Sequence, residues 1–204
     1  MSEWHNATIG DIASVQTGPF GSQLHNKDYV FVGTPIVTVE HLGQKIMTRQ
    51  NLPCVSDADK ERLIKYTLQK GDLVFSRVGS VDRCSFVGDD EDGWMFSGRC
   101  IRLRAKDKNT LDSEYLYYWF SLEETKGTIR NLAVGSTMPS LNTSLMANLE
   151  IDLPPIETQR AIAATLSALD AKIAVNNKLN HNLPLSRKRT KPVFMRVFGN
   201  QAAV

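Results

Sequence analysis

The chain has 204 residues, 42% apolar and 23% charged, with a net charge of +2, which is the make-up of an ordinary globular protein with room for one core and an appendage. No run approaches the ~18 consecutive apolar residues of a membrane-spanning helix, and the polar start MSEWHNATIGD lacks an apolar signal core. These features exclude a spanning helix and argue for the cytoplasm, so the sequons at Asn6 and Asn142 are accidental.

In chain order, residues 9–16 read as a short helix or turn opening on Gly10-Asp11. The segment Gly18 to Tyr29 is rich in Gly and polar residues and reads as an exposed loop. TPIVTVEHL, Thr34 to Leu42, has strand composition. Ser56 to Leu68 reads as a helix capped by Ser56 or Asp57. GDLVFSRVGSVDRCSFVG reads as two strands around Gly79-Ser80, and DDEDG, Asp89 to Gly93, as a solvated turn. Trp94 to Ala105 reads as one further strand. Ser113 to Thr125 reads as an aromatic-rich helix, with Tyr115, Leu116, Trp119 and Leu122 at helical spacing. No repeat is visible within 1–153, so a single mixed α/β (α+β) globular domain is expected there.

A different pattern begins at Leu153. NLEIDL has strand character and the Pro154-Pro155 pair ends it. A long helix pattern follows from about Glu157, with Ile162, Leu166, Leu169, Ile173, Asn176, Asn180 and Leu183 stepping by three and four. This is a heptad seam with asparagine at two core positions, a choice that costs stability and fixes register. At 1.5 Å per residue the helix would run roughly 40 Å, which suits pairing with another helix better than packing on its own domain. Pro184 would end it, and the 184–204 tail is basic and reads as disordered or as a short docking segment.

Motifs of catalysis are missing. The sequence has no G-x-G-x-x-G after a strand, no G-x-x-x-x-G-K-[ST], no N-P-P-[YF], no H-E-x-x-H and no C-x-x-C. Cys54, Cys84 and Cys100 form an odd set without paired spacing. Cys84 and Cys100 read as buried thiols. His5, His25, His41 and His181 are scattered, and nothing in their spacing supports a Cys54–histidine catalytic pair. No cofactor and no metal are expected.

The run LPPIETQRAIAATLSALDAKIAVNNKLN resembles the spacer segment of type I restriction–modification DNA specificity subunits. Gly135 to Leu153, GSTMPSLNTSLMANLEIDL, resembles that family's approach to the spacer helix. IGDIASVQTGPFGSQL and GDLVFSRVGSVDRCSFVG resemble two further family blocks. The resemblance extends from about Ile9 to Leu183. It implies a target recognition domain over 1–153, a spacer and dimerisation helix over 154–183, and a half-length form of a subunit that usually carries two of each. It also implies a non-catalytic role. The chain would read one half of a bipartite site in double-stranded DNA, and methyltransferase subunits would carry S-adenosylmethionine. A restriction subunit would carry ATP-driven cleavage. Two copies paired through antiparallel helices would be related by a two-fold axis, so their site would be an interrupted palindrome.

Charge is distributed unevenly. All 22 acidic residues lie in 1–170, where 17 basic residues leave a net of −5. A free-standing DNA binder is usually basic, but partner subunits can supply phosphate contacts while this chain supplies base contacts.

Three loops are candidates for DNA reading. Arg77, Ser80 and Arg83 flank or occupy the Gly79-Ser80 turn, and arginine can take guanine O6 and N7 together; ordinary surface charges are the competing reading. Ser22, Gln23, Asn26 and Lys27 lie in the Gly18–Lys27 loop, and Gln and Asn pair well with adenine; a plain solvated loop competes. Ser136, Thr137 and Asn142 offer small hydrogen-bonding groups, against a helix cap ahead of LMANL. Tyr117, Tyr118 and Trp119 favour core packing over base stacking. Two rival accounts are a truncated remnant that no longer assembles, supported by Pro184–Val193, and a stand-alone thiol hydrolase.

Overall fold

A computed structural model describes residues 4–135 and 138–182, without the side chains of Asn26, His181 and Asn182. Ser136, Thr137, Leu183 and the 184–204 tail lie outside the described residues. In chain order the elements are β1 (His5–Thr8), α1 (Ile9–Ile12), β2 (Ala13–Thr17), β3 (Tyr29–Val30), β4 (Thr34–Val37), β5 (Cys54–Val55), α2 (Asp57–Arg62), β6 (Leu73–Ser76), β7 (Cys84–Phe86), β8 (Met95–Phe96), β9 (Cys100–Ala105), α3 (Ser113–Ser121), α4 (Glu123–Leu132), α5 (Thr143–Ala147), β10 (Glu150–Leu153) and α6 (Ile156–Asn182). Short 3-10 turns occur at Gly21–Gln23, Asn26–Asp28, Val39–His41 and Ile64–Tyr66. The mixture of helix and strand is the mixed α/β class expected from the sequence.

The strands form an antiparallel sheet β2-β9-β6-β7, a second sheet β3-β5-β4-β8 in which β4 and β8 run parallel, and the pair β1-β10. That pair sets His5 against Leu153 and Thr8 against Glu150. It closes the domain next to the start of α6. β6 explains why LVFS reads as one apolar run. Leu73 and Phe75 face a core shared with Ile101, Leu103, Leu116 and Phe120, while Val74 faces a second core with Ile36, Val55, Met95 and Phe96. A strand buried on both faces shows no apolar–polar alternation. Phe75 and Phe120 meet edge to face at 4.6 Å, a geometry worth about 0.5–1.5 kcal/mol beyond area burial.

Five elements differ from their sequence expectation. The short helix or turn expected over 9–16 is helical only over Ile9–Ile12, and Ala13–Thr17 is strand β2 on the edge of its sheet, paired with β9. The strand-like Thr34–Leu42 stops at Val37, because Thr38 accepts the turn that follows: its backbone N–H donates to His41 Nδ1 at 3.1 Å. The helix expected over Ser56–Leu68 is capped by Ser56, one of the two caps the sequence offers, but its α-helical part ends at Arg62 and a 3-10 turn follows. Trp94–Ala105 is two strands in different sheets, separated by a turn at Ser97–Arg99. The aromatic helix breaks at Leu122, whose extended backbone (φ −63°, ψ 138°) caps both α3 and α4 and leaves its side chain 53% exposed.

Residues 1–165 form one compact unit, and a second begins at Leu166 within α6. The start of α6 is fastened inside the first unit. Gln159 is fully buried; its Oε1 accepts from the Asp112 N–H at 2.9 Å, and its Nε2 donates to the carbonyls of Pro154 (2.8 Å) and Thr110 (3.1 Å). Ala163 is buried and Ile162 packs partly on the same core. From Leu166 the apolar side chains are less covered: Leu169, Ile173 and Leu179 are exposed. Asn176 and Asn180 are exposed as well. Among the described residues no helix is long and apolar enough to cross a membrane.

Candidate nucleic-acid interface

Of the three loops singled out in the sequence, Arg77 joins two, the 77–83 turn and the 138–142 segment. This residue follows β6, and its backbone is held on both sides: its N–H donates to the Arg99 carbonyl at 2.8 Å, and its carbonyl accepts from the Leu141 N–H at 2.9 Å. Its side chain repeats the connection. Nε donates to the Leu141 carbonyl and Nη1 to the Gly98 carbonyl, each at 3.3 Å. The Gly79 N–H donates to the Pro139 carbonyl at 2.9 Å, and Val78 bridges Ser140. The β6–β7 loop, the turn between β8 and β9, and the segment leading to α5 are therefore one hydrogen-bonded assembly.

The Gly18–Lys27 loop joins it by close backbone approach. A Cβ on Gly18 would lie 2.2 Å from the Ser97 carbonyl oxygen, and one on Gly98 would lie 2.4 Å from the Pro19 carbonyl oxygen. Only glycine allows both segments to sit this near. The loop and the turn border an open cleft of about 730 Å³ whose lining includes Phe20, Tyr29, Thr38, Asn51, Arg77 and Arg99. Phe20 is 61% exposed. Asn51 sits at φ 55°, a left-handed conformation that Asn tolerates better than most residues. Burial pushes the Tyr29 phenol upward in pKa, Cys100 adds to this, and the charge of Arg99 opposes it.

The candidate residues fall into two groups. Ser22, Lys27, Ser80 and Arg83 are exposed. Others are engaged locally. Gln23 Oε1 accepts from the Tyr66 hydroxyl at 2.8 Å, and its carbonyl accepts from Arg62 at 3.0 Å. Asn142 caps α5, its Oδ1 accepting from the Leu145 N–H at 2.8 Å; this is the capping alternative read from the sequence. Asn26 has its backbone in a 3-10 turn. Arg99 and Asn51 were not singled out in the sequence. A signal for Arg99 existed: the Ser-Gly-Arg triplet, Ser97 to Arg99, interrupts the strand-like run and marks a turn.

Little supports thiol chemistry. Cys84 and Cys100 are buried, and burial pushes the Cys100 thiol up to about 12 and raises that of Cys84 well above its usual 9.0. A nucleophile needs the thiolate. His41 lies beside Thr38 and the Gln50 carbonyl, and His25 beside Asp28, so neither ring is directed to Cys54. Among the described residues no group of three or more His, Cys, Asp or Glu side chains is placed to hold a metal.

Comparison with known proteins places the assembly in context. The chain is 29% identical over 180 residues to a Methanocaldococcus jannaschii protein named as a type I restriction enzyme specificity subunit, MjaX; the match covers 86% of this chain and 41% of that protein. It is 25% identical over 187 residues to the type I restriction enzyme HindI specificity subunit of Haemophilus influenzae, covering 90% of this chain and 39% of the relative. The chain thus spans about two fifths of the length of these curated relatives. Its fold resembles the crystal structure of a type I restriction–modification S subunit from M. genitalium, with a TM-score of 0.62 at 19% identity, over 92% of this chain and 43% of that one. A family model, the type I restriction modification DNA specificity domain, matches residues 1–185, and the chain belongs to that family.

Proposed function

We propose that this chain is the sequence-reading part of a type I restriction–modification enzyme, with residues 1–153 as a target recognition domain and 154–183 as a spacer helix. The observation that carries the reading is the hydrogen-bonded junction at Arg77 of the 77–83 and 138–142 segments with the Ser97–Arg99 turn, against which Gly18 and Pro19 are pressed. Ser22, Lys27, Ser80 and Arg83 are exposed on the 18–27 and 77–83 loops. Rigid loops presenting hydrogen-bonding side chains are what base recognition requires. The domain's acidic balance fits a division of labour, in which partner subunits hold the phosphates and this chain reads base edges.

Chemistry belongs to the partners in this account. Methyltransferase subunits bind S-adenosylmethionine and modify the DNA, and a restriction subunit supplies cleavage. The exposed apolar positions Leu169 and Ile173, with Leu166 beside them and Asn176 and Asn180 further along, support pairing of α6 with the same helix of a second copy.

The reading is tested with the purified chain alone and with its methyltransferase subunits. Alone it should bind neither S-adenosylmethionine nor ATP. In the complex, measured at fixed salt, cognate DNA should bind at least about 10³-fold more tightly than random duplex. Saturable cofactor binding by the isolated chain, or equal affinity for all duplexes, would refute the proposal.

A further inference from the structure

We propose that Arg99 reads a base edge, its guanidinium taking O6 and N7 of one guanine, and that Arg77 is the residue that positions it. The proposal rests on the DNA-reading function argued above and assigns roles within it.

The sequence offers Arg77, together with Arg83, as a candidate reader, but the Arg77 side chain is committed. Nε and Nη1 both serve protein carbonyls. Turning the guanidinium toward a base would break two hydrogen bonds and leave the Leu141 and Gly98 carbonyls short of a donor. Its contacts instead fix the neighbouring turn. Gly98 is gripped by Arg77 Nη1, and the Arg99 carbonyl by the Arg77 N–H. On the far side the Cys100 N–H donates to the Ser97 carbonyl at 2.9 Å, and its carbonyl accepts from the Gly18 N–H at 3.2 Å. Pro19 lies hard against Gly98.

Arg99 is therefore an exposed arginine on a backbone held at every adjacent residue. Among the described residues no carboxylate or carbonyl engages its guanidinium. Among the described residues most other arginines are occupied: Arg49, Arg62, Arg104, Arg130 and Arg160 pair with carboxylates. Arg99 also lines the cleft with Phe20 and Asn51, an apolar surface and an amide beside the cation. Two parallel N–H donors on a planar fork match the two acceptors that guanine presents in the major groove. Arg83 is exposed too, but it is not among the residues lining the cleft, and its stem lies beside Gly43, where a Cβ would be 3.4 Å from Arg83 Cδ. It serves as the comparison residue.

The test is selection from a pool of randomised DNA duplexes by the complex with its methyltransferase subunits, using wild type, Arg99→Ala, Arg99→Lys and Arg83→Ala. Wild type should enrich a motif containing guanine. Arg99→Ala should lose preference at one guanine by roughly 10- to 100-fold, keep the remaining positions and melt at the wild-type temperature. Arg99→Lys, which keeps the charge and lacks the fork, should recover only part of the preference. Arg83→Ala, even where Arg83 contacts DNA itself, should act at another position and leave that guanine untouched. An unchanged Arg99→Ala motif, or uniform weakening across all sequences as for a phosphate contact, overturns the assignment. So does a lowered melting temperature in both Arg99 variants, which would make the side chain structural. If wild type enriches no motif, it is the DNA-reading function that fails, and the two failures are told apart.

Discussion

Arg77 and Leu141 are joined twice, backbone to backbone and side chain to backbone, across 64 residues of sequence. The pair makes the segment before α5 a partner of the β6–β7 loop. A buried or half-buried donor removed from two carbonyls costs about 1–3 kcal/mol for each group left unsatisfied. Arg77→Ala should therefore lower unfolding free energy by about 2–4 kcal/mol and, in the assembled enzyme, weaken discrimination at every motif position. Urea denaturation and binding selection read the two effects. A stable variant with one altered position would make Arg77 a direct reader.

Gly18 and Gly79 are predicted to differ in tolerance. At Gly18 a Cβ would collide with the backbone of Phe96 and Ser97, at 2.6 and 2.2 Å. Backbone cannot give way as a flexible side chain does, so Gly18→Ala should cost about 1–3 kcal/mol or more. At Gly79 a Cβ meets nothing within 4 Å, and the cost is confined to its φ of 74°, about 1–2 kcal/mol. Urea midpoints should rank Gly18→Ala below Gly79→Ala. The reverse order would mean that the 18–24 loop is not pressed against the Ser97–Arg99 turn.

How much was legible varies with the range of the interaction. Local signals read well: Ser56 is a helix cap, Cys84 and Cys100 are buried, and Pro154-Pro155 separates β10 from α6. Breaks set by tertiary contacts did not. Leu122 has helical spacing but caps two helices, and Trp94–Ala105 divides because β8 and β9 answer to different sheets. The three candidate loops were found by their turn composition. The junction of the 77–83 and 138–142 segments with the Ser97–Arg99 turn at Arg77 depends on hydrogen bonds between residues more than 20 apart, which no local pattern carries. That is also why Arg77 drew attention as a reader and Arg99 drew none.

Gln159 offers a separate prediction about the helix start. Its amide satisfies one N–H and two carbonyls, including the N–H of Asp112, whose own side chain caps α3. Gln159→Leu keeps the volume and removes every one of these bonds. The loss should be about 2–5 kcal/mol, seen as a lower urea midpoint. An unchanged midpoint would show that the buried amide does not fasten α6 to the domain.

The exposed seam predicts self-association. Replacing Leu166, Leu169 and Ile173 together with Asp should abolish dimer formation and leave the melting of the compact unit that precedes Leu166 in place. Each apolar side chain buried in such a seam contributes roughly 1.5–3 kcal/mol, so three charges are ample to separate the copies. Light scattering decides: equal mass for wild type and variant would remove the case for pairing through α6.

Methylome sequencing of cells that carry this chain and its methyltransferase subunits, against cells lacking this chain alone, tests the central claim most directly. The account predicts methylation at one defined split motif that disappears when the chain is absent. A complex holding two copies related by a two-fold axis must read the same half-site on opposite strands, so the motif should be an inverted repeat around unspecified base pairs. A split motif with unlike halves would contradict the two-copy arrangement. Identical methylation with and without the chain would contradict the claim that it reads DNA at all.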